Sequence, residues 1–371
     1  MKKIRVAQIM GKMNHGGVEA VVMNYFRNID KDKFQFDFIV DSDSSCPQKE
    51  EIEKLGGNVI FVKPYKHVFK YMKDLKSIFN ENKYDVVHAE LTTMSGFSLK
   101  VAKKCNVPVR ICHGHNTSGK GEFLKNILKS ILKKHSWKYA NEYFACSEHA
   151  AKWLFGKKMV KEGKTKIIYN AIELDKFYFS SNLRDEMRNK FNLDEKSIVI
   201  GNIGRFVPQK NQNFLLDVFY ELHKDNSNLK LLLIGEGKLH DEIVSSINKY
   251  KLEKDVILID NTEKPSLYYN MMDCFIYPSL YEGFGLTALE AQVNGLKCVV
   301  SNEVPDEVCI TKSVTKIDGF EKENWINVIK NVISNLDRIE TKSIFESSKF
   351  DLKSETPKLE KIYINGLDNN K

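Results

Sequence analysis

What most constrains this chain is a recurring alternation of short, almost unbroken apolar runs with longer charged stretches. In the first half the runs are IRVAQIM (4–10), FDFIV (36–40), NVIFV (58–62), DVVHAE (85–90), VRICHGH (109–115), YFACS (143–147) and KIIYN (166–170). In the second half they are IVIGNIG (198–204), LKLLLIGEG (229–237), VILID (256–260), CFIYPS (274–279) and KCVVSN (297–302). A strand with one wet face alternates apolar and polar residues. These runs do not, so they are expected to be strands buried on both faces of a parallel sheet. Strands alternating with helical stretches imply βαβ units and the α/β class. Between the two sets lies a polar, strand-poor segment, 174–197, where a domain boundary is expected. Two doubly wound domains of similar size follow, 1–174 and 175–371, with ligands expected where strand ends face the cleft.

Other properties narrow the class. The 371 residues suffice for two domains, and an apolar fraction of 42% supports a core rather than disorder. Seven cysteines, an odd number without a C-x-x-C pair, give neither a disulfide framework nor a zinc site, which suits reduced cytoplasmic thiols. The start, MKKIRVAQIMGKMNHGG, reads as a first strand rather than a signal peptide, and no apolar run approaches the ~20 residues that span a bilayer. A net charge of +8 invites an anionic partner, although many proteins without one carry as much. No nucleic-acid module is recognisable, so nucleic acid is not expected.

Four stretches carry possible chemistry. In "YEGFGLTALEAQVNG" (281–295), apolar spacing at Leu286, Leu289 and Val293 starts a helix near Gly285, with Gly283 and Gly285 in the preceding loop. Free amides at a helix N-terminus donate to ligand oxygens, and glycines let a ligand come close. Glu282 and Glu290 then suit hydroxyls at two ends of a long ligand such as a nucleotide sugar; an acid placed for the helix dipole plus a surface Glu is the other reading. In "GNIGRFVPQKNQNFLL" (201–216), Gly204, Arg205 and Lys210 lie at a strand-to-helix junction, where two cations suit a diphosphate or are simply solvated. Gly16 and Gly17 open a helix after the first strand, either as a phosphate or sugar approach or as a plain turn. It is no G-x-G-x-x-G, so a dinucleotide fingerprint is absent. In "CHGHN" (112–116), His113 and His115 point the same way from a strand, but no third ligand follows at a persuasive spacing. A hydrogen-bonding His is expected there, and no metal.

In this order and spacing, the four stretches resemble the family-four retaining glycosyltransferases of the GT-B fold over nearly the whole chain. "ACSEHAAKWLFG" (145–156), "IIYNAIELDKF" (167–177) and "PSLYEGFG…EAQVNG" resemble a narrower group, the bacterial capsular and exopolysaccharide enzymes. The resemblance implies two Rossmann-like domains facing a central cleft, an acceptor-side domain first and a nucleotide-sugar domain second, with a C-terminal tail that can pack back on the first. It implies a hexosyl- or N-acetylhexosaminyl-transferase that uses a UDP-linked donor and retains anomeric configuration. Arg205 and Lys210 would stabilise the diphosphate. Glu282 with the backbone of Phe284, Gly285 and Leu286 would orient the sugar, Glu290 would hold the ribose, and His115 would contact the sugar. No metal or other cofactor is implied. The acceptor would be a lipid-linked saccharide, met at the cytoplasmic face of the membrane. A nucleotide-sugar epimerase of the same fold and a non-catalytic sugar-nucleotide-binding subunit are the alternatives.

Two departures stand out: Lys297 in "GLKC", where the family usually has Pro, and "DNTEKP" (260–265), where it often has a Gly-containing turn. The tail after 345 also matches the family poorly. Residues 100–170 hold 16 Lys and Arg against 4 Glu, a net +12, so positive charge gathers in the first domain. Within it, 121–139 pairs apolar residues at a four-residue step beside Lys125, Lys129, Lys133 and Lys134. That stripe either packs on its own sheet or rests on an anionic bilayer, and peripheral attachment is expected.

Overall fold

The computed structural model describes residues 2–369 apart from 15, 116–129, 131, 263 and 347. The chain divides into two compact units, one formed by residues 1–172 and 349–371, the other by 173–348.

The first unit holds a seven-stranded sheet: β1 (Ile4–Gly11), β2 (Phe34–Asp41), β3 (Asn58–Val62), β4 (Val86–Ala89), β5 (Val109–Gly114), β6 (Glu142–Ala145) and β7 (Thr165–Ile167). Its spatial order is 3-2-1-4-5-6-7 and every pairing is parallel. The second unit holds six strands: β8 (Ile198–Ile203), β9 (Leu229–Ile234), β10 (Val256–Ile259), β11 (Cys274–Tyr277), β12 (Lys297–Ser301) and β13 (Val314–Ile317). Their order is 10-9-8-11-12-13, again all parallel. The apolar runs explain this. β4, β11 and most of β5 and β9 are buried along their length, as strands covered by helices on both faces must be.

Strand order reverses between β1 and β4 in one unit and between β8 and β11 in the other. Loops leaving the carboxyl ends of such neighbours diverge to opposite faces and leave a crevice. Most residues singled out in the sequence lie near carboxyl ends of strands, after β1 and at the end of β5 in the first unit and after β8 and β11 in the second.

Three features differ from the sequence reading. β13 was not expected. It is a short edge strand, VTKI, and its alternation with a lysine hides it from a search for unbroken apolar runs. The polar segment 174–197, which has no strand, does contain a helix, Ser181–Lys190, capped by the Ser180 hydroxyl. That helix is fixed to the second unit by Arg184 and Arg188, which both pair with Asp273, at 2.5 and 3.2 Å. The second unit also ends at Ser348 rather than at 371. Beyond it the chain rejoins the first unit, where Ile172 N–H donates to the Phe350 carbonyl at 2.9 Å, and continues as the helix Leu352–Asp368. Leu359, Tyr363 and Leu367 of that helix are buried.

Candidate active site

In the second unit, β8 ends at Ile203 and the chain turns through Gly204, Arg205 and a short 3-10 turn, Pro208–Lys210, into the helix Gln212–Asp225. Arg205 stands exposed at the mouth of this turn. Lys210 folds back. Its ammonium donates to Glu282 Oε1 at 2.6 Å and also to the Tyr277 hydroxyl at the end of β11. The pair is largely withdrawn from water, with side-chain exposures of 13% for Lys210 and 6% for Glu282. Burial works against the Lys210 ammonium, but Tyr277 and Glu282 outweigh it and raise its pKa, so it stays charged. Two loops from either side of a reversed strand pair thus bring a cation, a carboxylate and a phenol into contact.

The turn is held from below. Gln212, fully buried, donates to the carbonyls of Gly204 and Arg205 at 3.3 and 3.1 Å. From the side it is held by Gly235-Glu236-Gly237, which follows β9: Phe206 N–H donates to the Glu236 carbonyl at 2.8 Å. A Cβ on Gly235 would lie 2.1 Å from the Gly204 carbonyl oxygen, so only glycine lets the two loops touch. Sequence reasoning missed both supports. Gly-x-Gly directly after an apolar run was the available signal for the second.

After β11 the chain passes Glu282 and exposed Gly283 to Gly285, which caps the helix Leu286–Val293 in the left-handed region at φ +94°. A side chain is disfavoured in that conformation. The first amides of this helix, beginning at Leu286, have no intrahelical partner. Phe284 is buried and anchors the loop. Glu290 lies in the middle of the helix and is not part of the Lys210 cluster. It is buried and accepts from the Tyr269 hydroxyl at 2.8 Å. Burial pushes its carboxyl up to about 7.

In the first unit, Gly16 and Gly17 begin the helix Gly17–Asn28, and a Cβ on Gly17 would meet nothing within 4 Å. His115 follows β5 and is buried, with its Nε2 against Glu90 Oε2. The neighbouring strand supplies what no spacing in the sequence disclosed. His88 and Glu90, at the end of β4, meet His113 and His115 in one buried cluster. The signal was present as H-x-E in "DVVHAE", at the matching end of the preceding apolar run. The 121–139 stretch lies mostly outside the described residues. Among the described residues, no helix is long and apolar enough to cross a membrane.

Comparison with known proteins decides the family. The profile of glycosyltransferase family 4 matches residues 15–176, and that of glycosyl transferases group 1 matches residues 184–337. A putative glycosyltransferase of Bacillus subtilis, EpsF, is 32% identical over 309 residues, 82% of this chain and 80% of its own. The chain is a family-four glycosyltransferase.

Other relatives extend along the glycosyltransferase. The capsular polysaccharide biosynthesis glycosyltransferase CapH of Staphylococcus aureus is 28% identical over 97% of this chain and 99% of its own. An Escherichia coli enzyme named UDP-Gal:alpha-D-GlcNAc-diphosphoundecaprenol alpha-1,3-galactosyltransferase is 26% identical over 91% and 88%. Among solved structures, Anabaena HepE in complex with UDP and glucose superposes with a TM-score of 0.79 at 16% identity, covering 96% of this chain and 98% of that one. The glycosyltransferase therefore has the GT-B fold.

Proposed function

We propose that this glycosyltransferase moves a hexosyl or N-acetylhexosaminyl group from a UDP-linked donor, with retention, to a lipid-linked saccharide that grows into a bacterial surface polysaccharide. The observation that carries the reading is the Lys210–Glu282–Tyr277 cluster beside the Gly204–Arg205 turn, at the strand-order reversal of the second unit. Arg205 and Lys210 supply two positive charges to a diphosphate. At an effective dielectric near 20, each unit charge ~4 Å from a phosphate oxygen contributes about 4 kcal/mol. That attraction grows as the bond to the sugar breaks and charge gathers on the leaving phosphate. Glu282 and the amides from Phe284 to Leu286 hold the sugar hydroxyls, and Glu290 accepts from the ribose.

The acceptor hydroxyl approaches from the leaving-group side. Its oxygen bonds to the anomeric carbon as the carbon–phosphate oxygen bond breaks, and its proton passes to the departing phosphate. No protein base is needed. The cations serve where another enzyme would use magnesium or manganese, so neither ion is required at the diphosphate. Names of relatives support the donor and acceptor classes: one is a UDP-galactose enzyme acting on a diphosphoundecaprenol-linked sugar, and HepE was solved with UDP.

A panel of nucleotide sugars, scored by thermal shift and by slow hydrolysis, tests the donor. UDP-sugars should stabilise the protein and release UDP. Isomerised donor without transfer to any acceptor would instead make it an epimerase, and binding without turnover a sugar-nucleotide-binding subunit.

A further inference from the structure

The Glu90 cluster in the first unit is not used by the chemistry above. His88 Nε2, His113 Nδ1 and the Glu90 carboxylate lie close together, one carboxylate oxygen facing each imidazole. His88 Nε2 lies 3.0 Å from His113 Nδ1 and 3.1 Å from Glu90 Oε1, and His113 Nδ1 lies 3.0 Å from Glu90 Oε2. All three side chains are buried. Two imidazole nitrogens and a carboxylate held this close also suit a small cation. Tetrahedral zinc with bonds of ~2.0–2.1 Å separates its ligands by about 3.3 Å, so the two imidazole nitrogens need move apart by only about 0.3 Å.

Among the described residues, no Lys or Arg pairs with Glu90, whose partners are Gln8 and the three imidazoles. A buried carboxylate is stabilised by a cation close to it, which a bound metal supplies.

The surroundings are those of a metal site's outer shell. His88 Nδ1 is 2.7 Å from the Tyr363 hydroxyl, which fixes the ring. Gln8 and His115 each donate to a Glu90 oxygen. His113 Nε2 is buried with no partner among the described residues, beside a cavity of about 20 Å³ that His113 lines, room for one water.

We infer that His88, Glu90 and His113 bind one zinc ion, which neutralises Glu90 and ties the end of β4 to that of β5. Two imidazoles and one carboxylate favour zinc or a neighbouring transition metal over magnesium or calcium, which prefer oxygen ligands. None of the three ligands is among the residues assigned to the donor above, and the test does not rely on turnover.

The untagged full-length chain, prepared with zinc and desalted, should hold one equivalent of zinc by elemental analysis. Cobalt(II) loaded in its place should show the visible bands of a four-coordinate nitrogen–oxygen site. Glu90→Gln and His113→Asn, checked for folding by circular dichroism, should each lose most of the bound metal. Should they fail to fold, X-ray absorption of the zinc-loaded wild type must still show two imidazoles and a carboxylate. A wild type that holds under a tenth of an equivalent and stays colourless with cobalt overturns the inference. So does full stoichiometry in both folded variants, or a zinc shell containing sulfur.

Discussion

At the scale of single residues, Lys210 and Glu282 are paired with each other at 2.6 Å. On the proposed function, a diphosphate competes with Glu282 for the ammonium, and Glu282 released toward the sugar becomes free to accept from its hydroxyls. Removing either partner leaves the other buried and unpaired, which is why truncation of such pairs is costly. Lys210→Ala and Arg205→Ala are expected to lower kcat by at least tenfold each. Lys210→Ala alone should also lower Tm, because exposed Arg205 supports no fold contact through its side chain. Near-normal kcat in both variants at saturating donor would remove them from the leaving-group site.

Glu290 differs from Glu282 in kind, and its carboxyl, pushed up to about 7, gives the difference a pH signature. If Glu290 holds the ribose as proposed, the diol donates to the ionised form and nucleotide binding draws the proton off. Affinity is then weakest below pH 7, rises with pH and levels off above it. With a free pKa of about 7, UDP affinity should rise about tenfold from pH 6 to pH 8. Glu290→Gln should bind more weakly at pH 8 and lose most of the dependence. Calorimetric titration across that range decides it, and the variant corrects for titration of UDP itself. An unchanged pH profile in Glu290→Gln would place the ribose elsewhere.

At the scale of elements, unbroken apolar runs made the strands legible because a strand covered on both faces must be apolar on both. The same logic hid β13, whose one covered face leaves an alternating pattern. Donor-loop residues were legible for a local reason: Gly285, Glu282 and Lys210 sit within a few positions of a strand end. Their partners were not. Tyr277, Tyr269 and Gln212 are ordinary core-type residues in the sequence: Tyr277 meets Lys210 only when β8 and β11 become neighbours, Tyr269 meets Glu290 only when two helices pack, and Gln212 reaches back to its own turn. His88 and Glu90 were overlooked likewise, since the pairing of β4 with β5 is a property of the sheet.

The loop after β9 is the clearest such case. Gly235→Ala would set a methyl 2.1 Å from the Gly204 carbonyl, a backbone atom that cannot step aside cheaply. The variant should lose about 1–3 kcal/mol of stability, in the range of overpacking, and displace the Arg205 turn. Donor affinity should fall even though Gly235 is assigned no ligand contact. A denaturant melt with a UDP titration checks both, and wild-type values in each would show the loops to be independent.

At the scale of the whole molecule, the two units are not two halves of the sequence. The helix Leu352–Asp368 belongs to the unit that began the chain. Its Leu352, Leu359, Tyr363 and Leu367, with Phe350 before it, bury apolar surface worth ~1.5–3 kcal/mol per side chain. A domain's net stability is only ~5–15 kcal/mol. A chain ending at Ser348 should therefore keep a protease-resistant second unit and lose the first. Brief proteolysis with mass spectrometry would show fragments spanning 173–348 alone, whereas equal protection of both units would mean the helix is dispensable.

The crossing of the chain also sets an order of events during synthesis. Ribosomes release 5–20 residues per second, and domains usually complete from the N-terminus onward. Here the later unit is the contiguous one, and all its strands have emerged before the earlier unit receives its closing helix. The first unit must wait for its closing helix while its neighbour is translated. Its buried Phe34 and Phe36 pack against Tyr363 with ring centroids 5.9 and 6.3 Å apart. Until Tyr363 is made the two rings lack that part of their cover, which leaves the helix Leu352–Asp368 as the step that closes the first unit.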